Sequence, residues 1–431
     1  MMTKRFLTRR DFLRGTTAAA AGVWLGAVNA WGKNESPNNR LNIGIIGTAN
    51  RAQSNIKGVE SQNIVAVCDI DDIYLAAMKQ RFPAAKSYND FRKLLEQKHI
   101  DAVVISTADH THAVATVAAL KSGRHVYCEK PLAHTVAEAR LAARTAAKYK
   151  RATQMGTQIH ATSNYRRVVE LVQAGAIGPV KECHVWCEKS WSGEGRSTET
   201  PPVPANLHWD LWLGPAPARP YNPEYLPKVW RRWWDFGNGT LGDMGCHFLD
   251  LAHWALKLRH PLTIEAEGPP ISAETTPAWL IVHYEHDARE KLPPVRVTWY
   301  DGGRRPELVT QGTVANWKNG VLFVGEKGML LADYARHKLF PEQEFAGFVP
   351  PAQSIPDSIG HYEEWMQACR TGSPTSCNFD YSGALSEAVL LGNVAYRTGR
   401  KIEWDADALK TKNCKEAMDY VHREYRKGWS I

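Results

Sequence analysis

From residue 41 onward, short apolar runs alternate with longer stretches in which apolar residues recur every three to four positions. The runs at 41–46, 64–68, 102–105, 125–129 and 152–155 predict buried strands. The intervening patterns at 71–82, 89–97, 112–121 and 136–149 predict helices. Thr135 with Glu138 three residues later supplies a capping box for the last of these. Strands alternating with helices of this length predict a doubly wound parallel sheet. Beyond Gly156 the pattern changes. A helix at 164–174 leads into a strand at 180–189 and, after a Pro- and Trp-rich stretch, a helix at 241–257. Strands near 263–266, 279–284, 295–300, 321–324 and 329–332 then follow without helices between them, and helices return at 360–369 and 382–397. Successive strands predict a second, α+β domain built on a large, open, mainly antiparallel sheet.

The first 30 residues stand apart. A basic segment with Arg9-Arg10-Asp11-Phe12-Leu13 precedes a weakly apolar stretch at 15–27 and the small-residue site Val28-Asn29-Ala30. The pattern is that of a twin-arginine export signal, and its apolar run of about 13 residues is shorter than the ~20 that span a bilayer. The expected organisation is a signal at 1–30, a linker at 31–39, an NAD-binding Rossmann domain at 40–160, a catalytic and substrate domain at 161–360, and C-terminal helices at 361–431 packing back on both. The expected location is periplasmic or extracytoplasmic. Cleavage would remove five Lys/Arg and one Asp, lowering the net charge from +8 to +4. The remaining charges are dispersed, which argues against nucleic acid as a partner and leaves a small molecule. Eight cysteines in 431 residues make no disulfide framework and show no metal spacing. Cys369 and Cys377, flanking a turn, are the pair that could bond.

Two segments carry chemistry. Gly47-Thr48-Ala49-Asn50-Arg51-Ala52 lies between the first strand and a helix, with Asp69 at the end of the second strand 22 residues after Gly47. This is a dinucleotide fingerprint with Ala at its middle position, and the acid favours NAD over NADP. Asp243 and His247, four apart on a predicted helix after Gly239 and Gly242, share one face. A neutral imidazole there can take a hydroxyl proton, the carboxylate can orient that hydroxyl, and Lys130, at the end of a strand, can steady the developing alkoxide. Eight of the sixteen tryptophans fall between Trp186 and Trp254. As a cluster beside this helix they favour a sugar or glycoside, with His208, Trp209 and Asp210 at the rim of its site.

The ordered set Ser106 to His112, Glu129-Lys130-Pro131 and Asp243-x-x-x-His247 resembles the Gfo/Idh/MocA oxidoreductases, and the ends of the chain resemble their exported branch through Gly392 to Arg397 and Tyr425 to Trp429. The resemblance implies catalytic roles for Lys130, Asp243 and His247, a cis bond at Lys130-Pro131, and a homodimer or homotetramer. It places Thr107, His110, His112, Glu129 and Lys130 beside the cofactor with Gly47, Thr48, Ala49, Asn50, Arg51 and Asp69. Trp230 and Arg231 reach cofactor or substrate, beside Trp209, Asp243 and His247. Three functions stay open: a sugar or glycoside dehydrogenase with a tightly held cofactor, a glycosidase that oxidises its substrate transiently, and a non-enzymatic sugar or nucleotide sensor.

Overall fold

In the computed structural model, which describes residues 39–193 and 195–431, the two predicted sheets are present. Residues 1–38, including the expected export signal, lie outside the described residues. Six parallel strands, β1 (Asn42–Ile46), β2 (Asn63–Cys68), β3 (Lys86–Tyr88), β4 (Ala102–Ile105), β5 (His125–Cys128) and β6 (Thr153–Met155), run in the order β3-β2-β1-β4-β5-β6. This order reverses direction between β1 and β4, which opens a crevice at the carboxyl ends of the strands. Helices α1 (Arg51–Val59), α2 (Asp72–Arg81), α3 (Asp109–Lys121) and α4 (Val136–Tyr149) connect the strands. The Thr135 and Glu138 capping box at the start of α4 is formed on both sides.

After α5 (Ser163–Gln173) comes β7 (Val180–Trp186), then the long helix α6 (Gly239–Ala255). The strands β8 (Thr263–Glu267), β9 (Ile281–His286), β10 (Val295–Tyr300), β11 (Gly320–Gly325), β12 (Gly328–Ala332) and β13 (His337–Phe340) complete most of a second sheet. Helices α7 (His361–Thr371) and α8 (Phe379–Thr398) follow, then β14 (Ile402–Asp405) and β15 (Lys410–Thr411). The nine-stranded order is β13-β12-β11-β7-β10-β9-β8-β14-β15. It is antiparallel except where β7 and β10 run side by side in parallel. The helix expected at 89–97 shrinks to one turn at Phe91–Leu94, and β3, β13, β14 and β15 add strands at or next to the sheet edges that are too short for the apolar pattern to announce.

The apolar side of α8 joins the two halves, packing against both α4 and α6. Leu385, Val389 and Val394 lie in one continuous core with Ala139, Leu241 and Phe248. The pair Cys369 and Cys377 is not bonded. Cys369 packs against the cluster around Ile43, Tyr127 and Trp365, whereas Cys377 is buried in the separate main core, so the turn between them splits the two thiols. Among the described residues no helix is long and apolar enough to cross a membrane.

Candidate active site

The crevice above β1 and β4 is a cleft of about 400 Å³ lined by Gly47 to Arg51, Asp69, Ser106 to Ala108, Trp230 and Arg231. Gly47 has φ +82°, and a Cβ there would fall 2.8 Å from the Ser106 carbonyl oxygen, so only glycine lets the chain turn this close to β4. No side chain caps the start of α1 and no acidic residue lies in its first turn. That helix end is free to take a pyrophosphate, which fits a dinucleotide. The Asp69 carboxylate is held at the end of β2 by the Thr48 amide at 2.8 Å, the Thr48 hydroxyl at 2.7 Å and the Asp71 amide at 3.1 Å. From there it reaches the ribose side of the cleft. Residues 204–230 of the second domain close over this side. Asp71 and Leu207 form an antiparallel bridge, and the amides of Asp72 and His208 donate to the carbonyls of Asn206 and Ile70 at 2.9 Å each.

Just past β5 the Lys130-Pro131 bond is cis. The Lys130 ammonium donates to Asp243 Oδ1 at 2.5 Å and to the Asp243 carbonyl at 2.7 Å. Arg231 Nε donates to the same Oδ1 at 3.0 Å, and Trp191 Nε1 to Oδ2 at 2.8 Å. Burial pulls the Asp243 carboxyl upward, but Lys130 and Arg231 outweigh it and hold the group well below the usual carboxylate range. One turn along α6 sits His247. Burial, then the Lys130 charge, pushes its imidazole down to about 3, and its Nδ1 has no hydrogen-bond partner among the described residues. His112 underlies the cis bond: Nδ1 lies 2.7 Å from the Pro131 carbonyl and Nε2 3.1 Å from that of Thr107. Burial opposes a charge on this ring. The Cys128 sulfur, the Asp109 carboxylate and the Pro131 carbonyl outweigh it and raise the imidazole to about 9, so His112 clamps both carbonyls as a double donor.

Several expected contacts go elsewhere. His110 lines the cleft, but both its ring nitrogens turn to protein carbonyls, 2.8 Å from Trp212 and 3.3 Å from Phe236, and tie α3 to the second domain. Glu129 is buried and accepts from Arg51 at 3.2 Å, Asn55 at 2.9 Å and Gln158 at 3.2 Å, so it braces the cleft from beneath. Trp209 stacks on Trp212 at 4.7 Å and its N–H donates to the Arg219 carbonyl. His208 pairs with Asp72 and Asp210 with Arg426. Most of the tryptophan cluster is core, since Trp186, Trp212, Trp233 and Trp234 are buried in packing. Trp230 is also buried and carries the Arg231 guanidinium on its face at 4.2 Å. The glycines before Asp243 serve packing as well: a Cβ on Gly242 would sit 2.2 Å from Asn238 Cβ, and one on Gly239 2.8 Å from Thr276 Cβ.

Two groups at this site were not foreseen. Trp191, counted only as part of the aromatic cluster, anchors Asp243. Asp109, quoted only as part of a motif, is 4 % exposed. Burial raises its carboxyl to about 6 against the pull of His112, Arg231 and Lys130. No local pattern marks either, because both roles arise from contacts between domains.

Residues 41–157 match the NAD-binding Rossmann fold of an oxidoreductase family, and residues 180–431 match the C-terminal α/β domain of the same family. The chain belongs to the Gfo/Idh/MocA oxidoreductases. Among curated members of this family, it is 34 % identical over 142 residues to the inositol 2-dehydrogenase of Salmonella typhimurium, covering 32 % of this chain and 41 % of that protein. It is 32 % identical over 193 residues to a glycosyl hydrolase family 109 protein of Solibacter usitatus, covering 40 % of this chain and 43 % of that one. The matches thus span about two-fifths of these Gfo/Idh/MocA relatives. The WlbA dehydrogenase of Bordetella pertussis, solved with NADH and UDP-GlcNAcA, shares the fold with a TM-score of 0.62 at 15 % identity, over 85 % of this chain and 100 % of that one.

Proposed function

We propose that the chain is an NAD-dependent oxidoreductase acting on a hydroxyl of a sugar or glycoside, with Lys130, Asp243 and His247 as its catalytic residues. The observation that carries this reading is the buried Lys130 to Asp243 pair, bridged to the dinucleotide cleft by Arg231, with an imidazole whose Nδ1 is unpartnered one turn away. Bound NAD supplies the hydride acceptor. Asp243 and Lys130 fix the substrate hydroxyl, and the ammonium offsets the negative charge that grows on its oxygen. His247, uncharged down to about pH 3, is in the form that accepts the hydroxyl proton, and the neighbouring Asp243 carboxylate stabilises the imidazolium that results. The inositol 2-dehydrogenase relative supports a polyol or sugar substrate.

The segment closing over the ribose side supports a tightly held cofactor, which suits the export expected from residues 1–30, since an exported enzyme meets no free NAD pool. The test begins with the nucleotide released on denaturing the purified protein. Sugars and glycosides are then added to the native enzyme while absorbance at the reduced-nicotinamide band is followed. Retained NAD that one sugar class reduces supports the reading. No bound nucleotide, and no affinity when NAD is added back, leaves only the sensor.

The glycosyl hydrolase family 109 relative favours a second reading, in which oxidation is transient and the aglycone is eliminated before the hydride returns. Release of an aryl aglycone with no net change in cofactor would select it over the dehydrogenase.

A further inference from the structure

A second cavity, of about 270 Å³, lies away from the catalytic cleft, between the start of α4, the face of α8 and the segment 419–424. The Gly392 to Arg397 segment, singled out in the sequence but unused by the active site, supplies two of its walls: Asn393 and Arg397, four apart on α8, point to the same side. The Arg397 guanidinium is stacked between Trp234 at 4.8 Å and Tyr420 at 4.1 Å. It has no carboxylate partner among the described residues, and burial lowers its pKa. The acid that acts on it, Asp235, is engaged by Arg219 at 2.9 Å, and Asp419 and Glu424 lie exposed at the rim.

Two further polar atoms here are buried without partners. Asn393, 5 % exposed, donates its amide to the Asn238 carbonyl at 3.0 Å and leaves Oδ1 unsatisfied. His134 receives Arg423 Nη1 at its Nδ1 at 3.5 Å. Its Nε2 therefore carries the proton, near the Trp234 carbonyl but without hydrogen-bond geometry to it. Arg423 itself is satisfied by Glu138 and the His110 carbonyl. The Arg397 guanidinium, half-buried between two rings, has no anion to pair with, and each unmade hydrogen bond of a buried polar atom is costly. The three share one remedy: an oxyanion for Arg397 and the His134 N–H, with an adjacent hydroxyl donating to Asn393 Oδ1.

We propose that this cavity binds a small hydroxycarboxylate, at a site separate from the one that performs the redox chemistry. Calorimetric titration of the full chain with D-glycerate and D-gluconate, with inorganic phosphate and glycerol as further probes, tests it. The expected result is one hydroxycarboxylate per chain, bound more tightly than phosphate, with no heat from glycerol. Binding disappears in Arg397→Met and weakens about tenfold in Arg397→Lys, which keeps a cation but loses the fork. Should the methionine variant fail to fold, the lysine variant decides alone. No binding, equal binding of glycerol, preference for phosphate, or wild-type affinity in the folded Arg397 variants would overturn the proposal.

Discussion

Lys130→Met separates catalysis from architecture more sharply than any other change. The side chain is 9 % exposed, as is its partner Asp243, so the substitution removes one member of a buried pair. Such a loss costs roughly 3–5 kcal/mol when it strands the remaining charge. Here Arg231 at 3.0 Å and Trp191 at 2.8 Å stay on the carboxylate, which places the cost near about 2–3 kcal/mol. Residues 41–431 have an unfolding entropy of about 0.8 kcal/mol/K, so the thermal midpoint should fall by only roughly 3 °C. The effect on turnover is larger. Losing a preorganised cation from a developing alkoxide costs about 3–4 kcal/mol, or 10²–10³ in kcat/KM. A second signal is specific to the chemistry. After burial, Lys130 is the main influence holding the His247 imidazole down, so its removal leaves the ring facing Asp243 and raises its pKa. The assay is kcat/KM against pH for reduction of bound NAD, with the thermal midpoint measured in parallel. A folded variant that keeps kcat/KM within about threefold of the parent, with an unmoved acid limb, would refute the assigned role.

Asp69→Ser should relax the preference for NAD by about tenfold or more, read from fluorescence titrations with NADH and NADPH, because it removes a carboxylate from the place where the extra phosphate would sit. Gly156→Ala places a methyl 2.6 Å from the Glu129 carboxyl and should cost about 1–3 kcal/mol in denaturant unfolding while weakening NAD binding, since Glu129 braces Arg51 and Asn55. Stability should fall on acidification below pH 6.5. Burial lowers His110, His247, His286 and His361 to about 3 and His260 to about 4, so the stability they contribute is complete above the unfolded value of about 6.5 and is lost as pH falls toward their folded values. Asp109 and Asp301, raised by burial to about 6 and 7, and His112, raised to about 9, act in the opposite sense, full at low pH and lost as pH rises through those values, but three groups do not offset five. A thermal midpoint that is unchanged or higher at pH 5 than at pH 7 would contradict this balance.

The apolar periods carried the βα alternation, and the strand ends located Gly47 and Asp69 where the crevice lies, because strand order in a doubly wound sheet follows from short connections. Helix periodicity likewise put Asp243 and His247 on one face. What the pattern could not convey is which side chains meet across domains. Lys130 and Asp243 are 113 residues apart, and Trp191 reaches Asp243 from 52 residues away. The packing of the aromatic cluster was hidden for a related reason. Stacked pairs such as Trp209 and Trp212 have the same composition as a sugar platform, and only the closing of residues 204–230 over the cofactor side shows that their faces are spent on one another.

On the proposed function, the charge balance around α6 accounts for the site holding more cations than the reaction would use. Lys130 and Arg231 face one permanently ionised carboxylate, Asp243, and a second, Asp109, that is only partly ionised near pH 6. Asp243 thereby neutralises one cation at rest and leaves part of the other's charge unbalanced. A neutral hydroxyl gains little from that surplus, whereas an oxygen acquiring negative charge gains in proportion to the charge, which is the differential interaction that lowers a barrier. His112 belongs to the same arrangement although it touches no substrate. Its two donors hold the Thr107 and Pro131 carbonyls and so fix the turn on which Lys130 stands, keeping the ammonium on Asp243 before any ligand arrives.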